Sequence, residues 1–280
     1  MSLSLNIGGQ HLSLNQPLIM GILNLTTDSF YDGGRYLQMN KAVAHFQNMV
    51  DSGADIIDIG AFSSRPGALS VPTEQQLATL VPFITEISQQ FRDIPISIDC
   101  YQSEVVKKLS EIRPFLVNDI TGFSQDQALL LTVAERGLPY VLMHMRGIPE
   151  DMQSHTDYDA VCYDVLKDLA IKVHELKRHG IYDFVIDPGF GFAKTTDQNF
   201  QLLANLEVFG LFERPVMVGL SRKSMIYKTL DIQPAQALNG TTALHMTALL
   251  KGAKILRVHD VLEASETRKL WQQLQSSVKL

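Results

Sequence analysis

Eight short apolar runs recur along the chain, at residues 18–25, 54–60, 95–99, 116–120, 139–144, 183–187, 215–221 and 255–260. Several are apolar at successive rather than alternate positions, the pattern of strands covered on both faces of a parallel sheet. Between them lie segments whose apolar residues repeat with helical spacing, at 37–52, 73–91, 102–112, 125–136, 158–179, 197–208, 234–251 and 261–277. Alternation of this kind suits an open doubly wound sheet or a closed barrel. Eight repeats in 280 residues favour the closed (β/α)8 barrel, an α/β fold. Ahead of the first repeat, residues 2–7 and 12–14 flank Gly8-Gly9, which predicts a short β-hairpin within 1–15 that closes the bottom of the barrel. Nothing reads as a linker or a low-complexity tract, so the expectation is a single domain over 1–280 with the barrel at 18–277.

Composition narrows the partners. A chain that is 45% hydrophobic and 19% charged is not a disordered one. Its net charge of −6 offers no basic field for a nucleic acid backbone or an anionic membrane surface. The N-terminus carries neither a basic leader nor an apolar stretch of signal-peptide length, and no apolar run is long enough to span a bilayer. The expected location is the cytoplasm, with no nucleic acid and no membrane as partner. Cys100 and Cys162 lack metal-site or disulfide-framework spacing and read as reduced thiols. An anionic ligand would have to be met by a local group of cations and backbone amides.

Such a group is visible where the apolar runs end. The runs finish in Asn24, Asp58, Asp99, Asn118-Asp119, His144, Asp187, Ser221-Arg222-Lys223, and Arg257 with His259-Asp260. Any one of these is explained as well by a cap or a satisfied core group as by function. At most strand ends of a barrel, however, they form a polar ring around one pocket, on the face where this fold carries its active sites. The Gly-containing segments 26–35 and 62–69 follow the first two strands and are candidate lids, expected to order when the pocket fills.

The residue types suggest an anion joined to a heterocycle. Arg65, Arg257 and His259 suit a phosphate or pyrophosphate, and Asn24 offers a neutral oxygen to a Mg²⁺ ion that also binds the phosphate oxygens. Asp99, Asn118 and Asp187 offer acceptors and an amide to the donor-rich edge of a nitrogen ring, and Lys223 is a point cation able to reach a ring carbonyl. Walker, GxGxxG, HExxH and GxSxG motifs are absent, which leaves nucleotide hydrolysis, Rossmann redox chemistry, zincins and α/β-hydrolases without support.

Nine motifs in order carry a family resemblance: GILNLTTDSFYDGG (21–34), GADIIDIGAFSSRPGA (53–68), ISIDCY (96–101), VNDITG (117–122), LMHMRGIP (142–149), IDPGFGFAKT (186–195), GLSRKSM (219–225), NGTTALH (239–245) and ILRVHDV (255–261). Together they resemble the dihydropteroate synthases over nearly the whole chain. The resemblance implies a TIM barrel, commonly dimeric, that joins 7,8-dihydropterin-6-ylmethyl pyrophosphate to p-aminobenzoate with release of pyrophosphate and is a target of sulfonamides. It implies that Asn24 is the Mg²⁺ ligand and that Asp99, Asn118, Asp187 and Lys223 recognise the pterin. Arg257 is similar to the family arginine that stacks on the pterin and, with His259, meets the pyrophosphate. Ser64 and Arg65 match residues of the family's second loop, Pro66 matches the residue beside the aminobenzoate ring, and Phe192 and Ser224 match the residues that pack on that ring and meet its carboxylate. Lys223, Arg257 and Asp99 are the expected catalytic residues.

Thr27, Phe62, Ser64 and Cys100 depart from the usual Pro, Glu, Thr and Thr of the family, and none removes an implied ligand of charge or metal. A second enzyme class remains open, the pterin-binding methyltransferase domains, which resemble this barrel in their pterin-facing Asp and Asn. They have no need of the SRPG, SRKS and RVHD segments. A paralogue that binds pterins without turnover is the non-enzyme alternative.

Overall fold

The computed structural model describes residues 3–25, 35–61 and 71–277. A hairpin of β1 (Ser4–Ile7) and β2 (Gln10–Ser13) leads into β3 (Leu18–Asn24), α1 (Arg35–Asp51), β4 (Ile56–Gly60), α2 (Thr73–Gln90), β5 (Ile96–Asp99), α3 (Ser103–Ser110) and β6 (Leu116–Asp119). There follow α4 (Leu129–Arg136), β7 (Tyr140–Met143), α5 (Val161–Arg178), β8 (Phe184–Asp187), α6 (Thr196–Ala204), β9 (Met217–Val218), α7 (Ser224–Thr229), α8 (Leu238–Leu250), β10 (Ile255–Val258) and α9 (Val261–Ser276). The eight strands β3 to β10 form one parallel sheet in the order β8-β7-β6-β5-β4-β3-β10-β9. An Ile186–Val216 bridge, in which Ile186 N–H donates to the Pro215 carbonyl at 2.8 Å, joins β8 to the segment entering β9 and closes the barrel.

Alternation of side chains along each strand separates two cores. Outward residues such as Ile19, Ile57, Ile59, Ile98, Val117, Leu142, Ile186 and Leu256 are buried against the helices. Inward residues at the lower end, Met20, Ile56, Leu116, Val141, Val185, Met217 and Ile255, pack with Leu5, Ile7 and Leu14 of the hairpin. The hairpin therefore seals the barrel floor, as expected. Its turn approaches the β6 side so closely that a Cβ on Gly8, at φ +61°, would stand 2.0 Å from Pro114 Cγ.

Two helices differ from the sequence expectation. The segment 197–208 divides at Asn205 into α6 and a 3-10 stretch, Leu206–Phe212, with Asn205 Nδ2 donating to the Gln201 carbonyl at 2.9 Å. The segment 234–251 divides at Ala237 into a 3-10 turn, Pro234–Gln236, and α8. Helix α7 was not anticipated; it follows Arg222, whose φ of +54° turns the chain at the end of the β9 segment.

Candidate active site

The inward positions above the apolar floor are Asp58 on β4, Ser97 and Asp99 on β5, Asn118 on β6, Asp187 on β8 and Arg257 on β10. Parallel register sets Asp58 beside Ser97 and Asp99 beside Asn118. Arg257 donates from Nε to Asp58 Oδ2 at 2.6 Å and from Nη2 to Asp99 Oδ2 at 2.9 Å, and Asn118 Nδ2 donates to the same Asp58 oxygen at 3.0 Å. The other oxygens, Asp58 Oδ1 and Asp99 Oδ1, are buried with no hydrogen-bond partner among the described residues. A buried acceptor left unpaired is costly, so these atoms mark where a ligand's donors belong.

Electrostatics agree with that assignment. Burial pushes the Asp99 carboxyl up to about 7; Arg257 opposes the rise, while Asp58 and Asp119 add to it. Burial disfavours the Arg257 charge, yet the carboxylates of Asp58 and Asp99 hold its basicity above the usual value. Asp187 is raised by burial, against the pull of the Gly189 N–H, which donates to it at 2.8 Å, and of Lys223 and Arg257. Burial lowers Lys223 to about 8, with Asp187 working in the opposite direction. Its Nζ donates to the Phe190 carbonyl and stands 4.3 Å from the centre of the Phe192 ring, within cation–π range. Three acids, Asp58, Asp99 and Asp187, thus face two cations, which suits a donor-rich or cationic heterocycle.

The remaining site residues of the sequence reading fall into three groups. Phe192 is buried beside Lys223. Asn24 is exposed at the tip of β3, Ser224 opens α7, and His259 is exposed beyond β10 with Nδ1 3.1 Å from Ser221 Oγ; these three lie at the rim, outside the hydrogen-bonded cluster. Ser64, Arg65 and Pro66, with most of the candidate lids, lie outside the described residues. Some strand-end polar residues serve the scaffold instead. Asp119 has the outward parity and accepts from Thr121 N and Oγ1, Phe123 N and Tyr140 Oη. Asp260 takes a two-pronged bond from Arg222 at 2.8 and 2.7 Å. Sequence reasoning gave Asp58 no role, although it binds both Arg257 and Asn118. The signal was there: one carboxylate inside the apolar run Ile56–Gly60, at the position that places it inward like Asp99.

Asn24 offers one hard oxygen donor, and the described residues hold no group of three His, Cys, Asp or Glu that would cage a metal. The Asn24 amide oxygen fits a Mg²⁺ whose coordination is completed by phosphate oxygens and water, the usual habit of that ion.

Comparison with known proteins decides what this arrangement belongs to. The model of a family described as pterin binding enzyme matches residues 20–259. Dihydropteroate synthase of Escherichia coli (strain K12) is 40% identical over 264 residues, covering 94% of this chain and 93% of its own length. The chain belongs to the dihydropteroate synthase family. Other synthases are similarly related: the Haemophilus influenzae protein is 41% identical, with coverage of 93% of this chain and 95% of its own. Solved synthases share the fold closely. The Yersinia pestis enzyme in a sulfonamide drug complex superposes with a TM-score of 0.91 at 38% identity, over 98% of this chain and 100% of that one. The Xanthomonas albilineans enzyme with 4-aminobenzoic acid gives 0.91 at 38% identity over the full length of both. The resemblance read from nine motifs holds, and with it the transferase class and the place in folate biosynthesis, in preference to the methyltransferase alternative.

Proposed function

We propose that this synthase binds the pterin of dihydropterin pyrophosphate in the shell formed by Asp99, Asn118, Asp187 and Lys223, with Asp58 holding Arg257 and Asn118 in place. The observation that carries this reading is the pair of buried, unpartnered oxygens on Asp58 and Asp99 beside the Arg257 guanidinium. A pterin edge rich in N–H groups supplies the donors those oxygens lack. Asp99 and Asp187 favour a ring that gains positive character as its exocyclic carbon loses pyrophosphate, and Lys223, lowered to about 8, reaches a ring carbonyl from beside Phe192.

Reaction breaks the carbon–oxygen bond to pyrophosphate and forms a carbon–nitrogen bond to the arylamine of p-aminobenzoate, whose nitrogen loses a proton to water. Arg65, Arg257 and His259 would meet the leaving pyrophosphate. Mg²⁺, held by Asn24 and phosphate oxygens, would supply further neutralisation of that charge when bound. Ser64, Pro66, Phe192 and Ser224 would receive the aminobenzoate. Build-up of positive charge among acids favours a dissociative, SN1-like path; an isotope effect typical of a tight associative displacement would overturn it.

Steady-state pyrophosphate release with both substrates tests the reading, and failure to release it refutes the activity. Arg257→Ala and His259→Ala should weaken the pyrophosphate substrate more than a pterin without phosphate; equal weakening removes the residue from the anion site. Chelation should abolish turnover, and Asn24→Ala should raise the metal requirement. A homodimer is proposed as well, supported by the exposed Leu262, Leu270 and Leu274 along α9 and Leu250 at the end of α8, and light scattering of the purified protein checks it. No helix among the described residues is long and apolar enough to cross a membrane.

A further inference from the structure

After β8 the chain passes through Pro188-Gly189-Phe190-Gly191-Phe192-Ala193 and then sends Lys194 back beneath this loop. Lys194 is only 3% exposed, and its Nζ stands 3.0 Å from each of three acceptors: the Gly189 carbonyl, the Phe192 carbonyl and His144 Nδ1. His144 is fully buried at the end of β7, and its Nε2 has no hydrogen-bond partner among the described residues but faces Asp168 Oδ2 of α5 at 3.7 Å. A carboxylate only accepts, so the imidazole proton belongs on Nε2 and Nδ1 is the acceptor. The three partners together satisfy the Lys194 Nζ without water.

The loop held in this way touches the proposed substrate shell at three points. Gly189 N–H donates to Asp187 Oδ1 at 2.8 Å, the Phe190 carbonyl accepts from Lys223 Nζ, and the Phe192 ring lies 4.3 Å from that same Nζ. Its backbone does not take this path freely. Gly189, Gly191 and Ala193 have φ of +74°, +80° and +51°, and a Cβ on Gly189 would fall 1.9 Å from the His144 carbonyl oxygen. Burial pulls the basicity of Lys194 well below its ordinary value, so it is the hydrogen bonds from Nζ that tie the Gly189 and Phe192 carbonyls together beneath the loop.

We propose that Lys194 is a positioning residue of the synthase: by binding the Gly189 and Phe192 carbonyls, with His144 as its third anchor, it sets the stance of the Phe192 ring and of Lys223 beside Asp187. This rests on the reading that Phe192 packs on the aminobenzoate. Sequence separation hides this arrangement, since Lys194 and His144 lie 50 residues apart.

The test compares Lys194→Met, Phe192→Ala and the double variant in the steady state with both substrates. A wild-type protein that releases no pyrophosphate refutes the functional reading and not this one. With an active wild type, each single variant should lower kcat/KM for p-aminobenzoate about tenfold, and the double variant should lie within about threefold of the worse single. Independent effects, multiplying to about a hundredfold, would show a general brace and overturn the proposal. Should Lys194→Met fail to fold, His144 decides the matter. His144→Asn places an amide oxygen where Nδ1 stands and should stay within about threefold of wild type, whereas the isosteric His144→Leu should lose about tenfold. Equal behaviour of those two variants overturns the proposal.

Discussion

The two ends of one barrel interior differ by a single pleat. On the floor stand Ile56, Leu116, Val185 and Ile255, sealed by the hairpin. Two residues further along the same four strands, at the same inward parity, stand Asp58, Asn118, Asp187 and Arg257. A rise of about 7 Å thus separates an apolar plug from a charged shell. The floor contributes stability through burial and close packing, while the shell keeps ionisable groups out of water and leaves Asp58 Oδ1 and Asp99 Oδ1 without a partner among the described residues. One end is optimised for the folded state by itself; the other is complete only with a ligand.

Breaking the shell at its centre should have the largest effect. Arg257→Met leaves Asp58 and Asp99 buried without their shared cation, which should cost about 3–5 kcal/mol of stability together with activity. A change below about 1 kcal/mol in urea unfolding would mean that the guanidinium is not what holds the two acids. On the floor, Ile56→Ala should cost about 2–5 kcal/mol of stability while both KM values stay unchanged, because the cavity opens below the site. Asp187→Asn reverses the pattern. It should lose about 2–4 kcal/mol in kcat/KM, by placing a donor against ligand donors, with stability retained; near wild-type turnover would remove Asp187 from the site.

A pH series sharpens the contrast. Burial raises Asp99 from an ordinary 3.8 to about 7, so the folded protein holds a proton there that the unfolded chain releases at lower pH. Its contribution to stability is fully present below about pH 4 and is lost as pH rises through about 7. The stability of wild type relative to Asp99→Asn should therefore fall between pH 5 and pH 8, and a flat difference would show that Arg257 keeps Asp99 ionised throughout. The smallest effect belongs to Cys100, which departs from the usual threonine. Its side chain has the outward parity and packs among the core residues behind the sheet, within sulfur hydrogen-bonding distance of Gln76 Oε1 at 3.8 Å. Cys100→Thr should change stability by less than about 1.5 kcal/mol and leave both KM values unaltered, measured by thermal melting and steady-state kinetics.

Much of this architecture was legible one residue after another. Apolar runs separated by helical spacing specify strand and helix because each is a local pattern, and eight repeats leave few ways to bury both faces of the sheet. The hairpin floor followed from Gly8-Gly9 between two apolar segments, and the strand-end polar residues pointed to the end of the barrel that carries the charged shell. The nine motifs carried the family. Boundaries were less visible at Asn205 and Ala237, which divide segments whose apolar spacing reads as continuous; at Asn205 the side chain bonds back to the Gln201 carbonyl.

What the chain alone determined is the order of its elements, the closed parallel barrel and the family to which it belongs, since all three are written in local periodicity and contiguous motifs. Only the tertiary structure decided which polar residues meet. A strand buried on both faces is apolar at every position, so its sequence conceals which parity points inward. That is why Asp119 and Asn118 look equivalent in the run 116–120, although one braces Thr121 and Tyr140 and the other binds Asp58. Arg257 reaches Asp58 across 199 residues, and Lys194 finds His144 across 50. Such pairings exist because barrel closure brings distant strand ends to one rim, and no local pattern records them.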